Sequence, residues 1–257
     1  MKTKFTVSNV LATSWKALFS QIWILAGLMI GFIIFSLILS LVLSPMLASS
    51  LVGNFLLQLF SIAISLIFSL GYTKNLFQAL DGDEPQFSAY GQQARKIGTY
   101  FVSNLLVSLS CMVVASIFLA PYFYWLFRFP FIQEFVDAVR SNQVSDIAGA
   151  SIFYAVLGGI VLCLPAIYLY IRMMFFQAFI VDEDTGIIES IRKSWEITKG
   201  QVLPLFLLGL LSIALIVAGT FLFIVGLFVT VPLIYLMYCC VFRKLNGVVQ
   251  HEESLLE

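Results

Sequence analysis

The sequence predicts an all-α, polytopic membrane helix bundle, with six transmembrane helices and short interfacial amphipathic helices. Of its 257 residues, 61% are hydrophobic and only 11% are charged, whereas soluble domains carry roughly 25% charged residues. Long apolar runs recur, and a run of about 20 residues is enough to cross a hydrocarbon core roughly 30 Å thick. The formal net charge is zero, so no overall field attracts nucleic acid, and we expect no nucleic-acid partner.

The N-terminal segment, residues 1–21, predicts a short amphipathic helix because its apolar residues recur at helical spacing. A nearly unbroken apolar run follows over 22–43 and predicts the first span. A secretory signal peptide is the rival interpretation. Its apolar region would be about 7–15 residues long, and this run is longer and begins later, so we favour a membrane span.

Five further spans complete the prediction, at about 55–77, 99–119, 150–170, 202–219 and 223–242. The last two come from some 40 residues without a charge, which is too long for one crossing and requires a turn near 219–226. The polar segment 128–148 lies on the other side of the membrane from the termini, and its apolar spacing predicts a short helix there. We expect residues 1–257 to form a single integral membrane domain.

The positively charged residues decide the predicted orientation. Six spans place both termini on one side, and twelve lysines and arginines fall on that side against two, Arg128 and Arg140, on the other. The twelve are Lys2, Lys4, Lys16, Lys74, Arg95, Lys96, Arg172, Arg192, Lys193, Lys199, Arg243 and Lys244. Positive charge concentrates in cytoplasmic loops, so we expect a multi-pass protein of the inner (plasma) membrane with both termini cytoplasmic.

The segment 182–201 is predicted to be a charged helix that lies along the cytoplasmic interface. Its acidic start suits the positive end of a helix, and Gly200 is a common stop residue. The apolar residues predict one face of the helix and are Ile187, Ile188, Ile191, Trp195 and Thr198. That face is too narrow to span a bilayer. A loop helix of a soluble segment is the alternative.

An offset of 180 residues relates the N-terminal segment to this charged helix. It aligns Ser14-Trp15 with Ser194-Trp195 and Gln21 with Gln201. Residues 87–97 occupy the equivalent place before the third span but lack the Ser-Trp pair. A parallel internal repeat of an interfacial helix followed by a membrane hairpin is one interpretation. The other is that helices entering a membrane commonly carry Trp and Ser there.

A family resemblance is carried by Arg172, VDEDTG at 181–186, ESIRKSW at 189–195 and TKG at 198–200, together with Ser14-Trp15. These motifs resemble an uncharacterised family of bacterial six-span membrane proteins, related to the glycerophosphodiester phosphodiesterase membrane domain. The resemblance implies an α-helical inner-membrane protein with a link to envelope or lipid metabolism. The catalytic domain of the phosphodiesterase has no counterpart in this sequence, so no activity is carried over.

The candidate binding residues for a lipid headgroup or a partner are Arg172, Arg192, Lys193, Trp195 and Trp15. A guanidinium can hold phosphate through two hydrogen bonds, and a charge in a membrane needs a partner. Arg172 is therefore predicted either to bind a headgroup or to form a structural ion pair with Glu189 or Asp182. The alternative for Arg172 is a side chain that snorkels to the interface. For the tryptophans it is an interfacial anchor.

Catalysis and metal binding have weak support in the sequence. Ser14 and Ser194 have no evident base to activate them, and the four cysteines fall in apolar runs without metal or redox spacing. We therefore expect no catalytic residues, no metal and no cofactor. The Gly27–Gly31 spacing and the serines of the first two spans predict helix packing, and a polar solute pathway is their alternative.

The leading hypothesis is thus a non-enzymatic membrane protein that binds membrane lipids or a protein partner, including another copy of itself, at its cytoplasmic face. A transporter of a small solute or a lipid is the alternative, and an intramembrane enzyme comes third. The spans contain no acidic residue that could form an internal ion-coupling site, which favours the first hypothesis.

Overall fold

The computed structural model describes residues 5–47, 50–128, 140 and 146–254, and the regular structure in these ranges is helical throughout. The helices are α1 (Val7–Leu47), α2 (Leu51–Asp81), α3 (Ser88–Gln93), α4 (Ile97–Arg128), α5 (Asp146–Met173), α6 (Phe176–Glu183), α7 (Ile187–Ile197), α8 (Val202–Phe221) and α9 (Phe223–Ser254), with a 3-10 turn at Ala94–Lys96. The predicted all-α class is confirmed.

Six helical segments are long and apolar enough to cross a membrane, which confirms the predicted polytopic bundle. They are Val7–Pro45, Leu51–Asp81, Ser88–Tyr124, Val156–Glu183, Val202–Phe221 and Gly226–Gly247. The exact limits of each crossing stay predictions, as does the assignment of the whole chain to one domain. The helix predicted within 128–148 falls mostly outside the described residues.

Two glutamines mark the joints between a short helix and the span that follows it. Gln21 interrupts α1 with φ −137° and ψ 22°, so residues 7–20 and the first span are separate helices. Gln201 precedes α8 with φ −115° and ψ 11°. The aligned glutamines therefore adopt nearly the same non-helical conformation, which supports the 180-residue repeat in backbone geometry.

The described chain divides into two compact units. The first consists of Met1–Ser103 and Met173–Glu257, and the second of Asn104–Arg172. The first unit contains a fully buried aromatic cluster in which Phe242 packs edge-on against Phe179 at 4.9 Å and against Phe77 at 5.6 Å, centroid to centroid. This cluster joins α2, α6 and α9. In the second unit, Gly158 of α5 lies against the ring of Tyr122 of α4.

A polar network lies inside the first unit and is centred on Gln177. Its amide nitrogen donates to the hydroxyls of Ser69 and Thr73, each at 2.8 Å, and its amide oxygen accepts from the Tyr100 hydroxyl at 3.2 Å. Buried polar groups are costly unless they are paired. The network therefore fixes α6 against α2 and α4, a role that local sequence patterns do not reveal.

Gly71 allows α3 to approach α2 closely. A Cβ atom at position 71 would lie 2.8 Å from the Cα of Tyr90 and would overlap its ring. That ring also lies 5.7 Å from the Phe68 ring, in a stacked arrangement. Any larger residue at position 71 would separate the two helices.

We predict that Gly71→Leu destabilises the protein by about 1–3 kcal/mol, the usual cost of overpacking a core. The measurement is thermal unfolding in a mild detergent, followed by circular dichroism. Gly98→Leu is the matched control, because a Cβ at position 98 meets nothing within 4 Å. Equal melting temperatures for the two variants would contradict the proposed contact.

Candidate functional site

Charged residues at one end of the first unit form a set of ion pairs, here called the ion-pair belt. Its members are Asp81, Arg95, Lys96, Asp182, Glu183, Asp184, Glu189, Lys193 and Arg243. They come from the C-terminal ends of α2 and α6, from the residue that follows α6, from α7, from α9 and from the 3-10 turn before α4. The belt is the largest concentration of charge in the part of the chain that the structure describes, and the candidate site is built around it.

Arg243 joins three helices within the belt. Its two terminal nitrogens lie 2.9 Å from a carboxylate oxygen of Asp81 and 3.0 Å from one of Asp182. The guanidinium also lies over the ring of Phe77, 5.1 Å from the ring centroid. A planar guanidinium suits this role because it can donate in two directions while stacking on an aromatic ring.

Lys193 joins α7 to α6. Its ammonium lies 3.0 Å from Glu183 and 3.1 Å from Glu189. The other oxygen of Glu183 accepts a 2.6 Å hydrogen bond from the Asn246 amide of α9. Lys193 and Glu183 are both shielded from solvent over most of their side chains, so these contacts are stronger than those of fully exposed pairs.

Lys96 caps the C-terminal end of α6 with its ammonium group. The residue is 8% exposed, and its ammonium donates to the backbone carbonyls of Ile180 at 2.9 Å and Val181 at 3.3 Å. It also lies 3.0 Å from Asp184, which Arg95 contacts at 2.9 Å. A cation at a helix C-terminus satisfies carbonyls that lack partners within the helix and complements the helix dipole.

These contacts shift the pKa values of the belt residues that lie outside the spans. The hydrogen bond from Lys96 lowers the pKa of Asp184, and the Arg95 charge adds to the effect. The hydrogen bond from Lys193 lowers the pKa of Glu189. Burial opposes the charged form of Lys193, but its hydrogen bonds to Glu183 and Glu189 outweigh that effect and raise its pKa.

The structure places Arg172 in the last turn of α5, where it is 4% exposed. Of its two predicted partners, Asp182 contacts Arg243 and Glu189 contacts Lys193. Arg172 belongs to the second unit, whereas both carboxylates belong to the first. Its predicted pairing with either carboxylate, and its predicted headgroup role, stay predictions.

The residues of α7 that pack against the protein lie mostly beside the apolar face inferred from its spacing. Ser190, Ser194 and Ile197 are buried, whereas Ile188 is 76% exposed and Trp195 is 39% exposed. The Ser194 hydroxyl accepts a hydrogen bond from the backbone N–H of Phe175 at 3.0 Å. Small serines allow close approach to the protein, so the larger Ile188 and Trp195 side chains are directed away from it.

The N-terminal helix repeats this arrangement. Ser14 is fully buried, and Trp15 is 47% exposed. The buried positions agree at the 180-residue offset, and the pairs are Phe5 with Thr185, Val10 with Ser190, Ser14 with Ser194, Leu18 with Thr198, and Leu25 with Leu205. Equal burial at equivalent positions indicates that both helices pack through the same face, which the predicted repeat requires.

The charged and hydroxyl groups of this region are engaged within the fold. Among the residues that the structure describes, no group of three His, Cys, Asp or Glu side chains is placed to hold a metal ion. The serines of the two Ser-Trp pairs lie on packed faces. The carboxylates of the belt form ion pairs with lysines and arginines.

The fold and the belt define a polytopic α-helical membrane protein. Residues 144–241 match the family model described as the membrane domain of glycerophosphoryl diester phosphodiesterase. The chain is therefore a membrane protein related to that family, as the motifs at 172–200 predicted. No curated protein and no solved structure matches the chain.

Sequence reasoning assigned Lys193 to a headgroup and Glu189 to Arg172. It did not identify Arg243, Asp81 and Lys96 as structural partners. The positions of these residues in the sequence could have indicated this role, because each of the three lies close to the end of a predicted span. A charge at that depth needs a counter-charge. The identity of that counter-charge depends on how the helices pack.

We predict that Asp184→Asn lowers the melting temperature at pH 7, and that this effect shrinks progressively as the pH falls below about 4. Because the pKa of Asp184 is lowered in the folded protein, its contribution to stability is present above the ordinary carboxyl pKa. It is lost as the pH falls through the lowered pKa. Thermal unfolding in detergent from pH 7 to pH 3 measures the difference.

Asp83→Asn is the control for this experiment, because Asp83 is an exposed carboxylate in the neighbouring turn. Its effect on the melting temperature should be smaller at every pH. A difference between wild type and Asp184→Asn that stays constant from pH 7 to pH 3 would rule out the ionic contribution.

Proposed function

We propose that this is a non-enzymatic protein of the bacterial inner membrane, with both termini in the cytoplasm, whose cytoplasmic face binds membrane lipid or a protein partner. The excess of lysine and arginine on the terminal side supports this orientation, twelve against two. The match to a membrane domain of a phosphodiesterase that acts on glycerophosphoryl diesters supports a lipid-related setting.

The observation that carries the proposal is the outward position of Trp15 and Trp195 at equivalent points of two helices. Each follows a fully buried serine and is between about a third and a half exposed, at 47% and 39%. Tryptophan is enriched at the level of lipid headgroups, where its ring is partly buried and its N–H meets polar groups. Both helices therefore present an anchor suited to the membrane interface.

The basic residues of α7 divide into two roles under this proposal. Lys193 lies between Glu183 and Glu189 and stabilises the fold. Arg192 is 69% exposed over its side chain, and its contact with Glu196 is long, at 3.7 Å. Such an exposed pair contributes little, so the Arg192 guanidinium can exchange Glu196 for a lipid phosphate. Arg172, in the second unit, is proposed to hold a lipid phosphate by itself.

A transporter is the second candidate, and a cavity between the first two spans favours it. The cavity has a volume of about 70 Å³ and is lined in part by Ser36, Ser40, Ser61 and Ser65. A cavity of this size, with serine hydroxyls in part of its wall, has room for a few water molecules. A continuous polar path to both faces would make transport the better interpretation.

The tryptophan anchors can be tested by fluorescence depth measurements in lipid vesicles. In a variant that retains Trp195 alone, with Trp15, Trp23 and Trp125 replaced by Phe, a quencher near the headgroups should reduce the emission more than one at the bilayer centre. The variant that retains Trp15 alone should behave in the same way. Stronger quenching from the bilayer centre would contradict interfacial placement.

The lipid contacts can be tested by native mass spectrometry of gently purified protein. Arg192→Gln or Arg172→Gln should reduce retained anionic phospholipid roughly fivefold, since each basic residue near an anionic surface contributes about 1 kcal/mol. Arg128→Gln is the matched control, because Arg128 is one of the two arginines predicted on the other side of the membrane. Equal retention in all variants would favour a protein partner over lipid.

A further inference from the structure

An apolar groove lies in the first unit between α1, α2 and α3. Its volume is about 640 Å³, within the range of roughly 300–1,000 Å³ typical of ligand pockets. Its lining includes Gly27, Gly31 and Phe35 of α1, Phe60 and Phe68 of α2, and Tyr90 of α3. The exposed surface of the groove is almost entirely apolar, which excludes a polar solute as its ligand.

The two glycines leave space along the α1 side of the groove. A Cβ atom at Gly27 or at Gly31 would meet no atom within 4 Å, and residues four apart lie on one helix face. Aromatic rings form much of the remaining wall, with Phe32 and Phe68 stacked at 3.7 Å and Phe68 and Tyr90 at 5.7 Å between centroids. The groove is therefore bounded by rigid side chains and remains open where the glycines lie.

The length of the groove indicates what can occupy it. Gly27 to Phe35, and Phe60 to Phe68, each cover eight residue steps, or about 12 Å at 1.5 Å per residue. One leaflet contributes half of a hydrocarbon core that is roughly 30 Å thick. A transmembrane helix of a second copy would need a groove along the full core, whereas an acyl chain of one leaflet needs only this length.

We propose that the groove binds one acyl chain of a membrane phospholipid, drawn from the leaflet on the side of the termini. The lining helices are membrane spans, so the medium at the groove is hydrocarbon rather than water. A void there would forfeit dispersion contacts with its walls, and a chain seated between three helices gains more contacts than one on an open helix face. This proposal is independent of the headgroup contacts proposed for Arg172 and Arg192.

The test is photolabelling by a phosphatidylcholine that carries a diazirine near the middle of one acyl chain. Wild-type protein in vesicles is irradiated, and the labelled positions are mapped by mass spectrometry. We expect labelling at groove residues to exceed that of the open, apolar face of α8, where Leu207, Leu210 and Ile213 are about half exposed. Even labelling across groove and open face would overturn the proposal.

A variant pair tests the shape of the groove directly. Gly27→Leu combined with Gly31→Leu fills the space and should reduce labelling of Phe60 and Phe68 about tenfold relative to wild type, equivalent to about 1.4 kcal/mol. Gly209→Leu is the matched control, because it also adds a side chain where a Cβ meets nothing within 4 Å. Unchanged labelling in the double variant would overturn the proposal.

Two further measurements distinguish the acyl-chain proposal from its alternatives. If thermal unfolding shows that the double variant is misfolded, the wild-type labelling map alone decides between groove and open face. Gly31→Cys, in a variant whose four native cysteines are replaced by Ala, tests the competing occupant with a short bifunctional thiol reagent. Efficient cross-linking into dimers would show that a second copy fills the groove and would overturn the acyl-chain proposal, whereas monomers under the same conditions support it.

Discussion

The cost of an unpaired charge near hydrocarbon is the constraint on which the first unit depends. Charges that end a membrane span cannot be buried alone, and the ion-pair belt meets this requirement. Arg243 links Asp81 to Asp182, and Lys193 holds Glu183. Since these residues come from α2, α6, α7 and α9, satisfying the charges also sets the relative positions of the helices. The aromatic cluster around Phe242 and the amide of Gln177 then pack within that frame.

Because of the ion-pair belt, the basic residues differ from one another in how they can contribute to membrane association. A sequence-level count treats every lysine and arginine on the terminal side alike. In the structure, Lys96, Lys193 and Arg243 form ion pairs with carboxylates. These three residues therefore contribute mainly to the stability of the fold. Arg192, whose side chain is mostly exposed, is the better candidate for an anionic headgroup. Under the proposed function, the positive charge that guides insertion and the positive charge that binds lipid therefore come partly from different residues.

The two Ser-Trp helices show how a weak sequence repeat gains physical support. The sequence aligns Ser14 with Ser194 and Gln21 with Gln201. The structure adds equal burial of the serines, outward tryptophans, and nearly the same break at each glutamine. The structure adds one detail that the apolar spacing did not address. The face of α7 that packs against the protein carries Ser190 and Ser194, whose small side chains allow close approach, while Ile188 and Trp195 remain exposed.

The sequence by itself determined the class of the protein, the six apolar helices, the short helices before the first and fifth spans, and the resemblance to the phosphodiesterase membrane domain. These follow from hydropathy, helical periodicity and short motifs, which are local properties of the chain. Tertiary structure decided which charges pair, which faces pack and where the groove between α1, α2 and α3 opens. Arg243 and Asp81 are 162 residues apart, so their contact depends on the path of the whole chain.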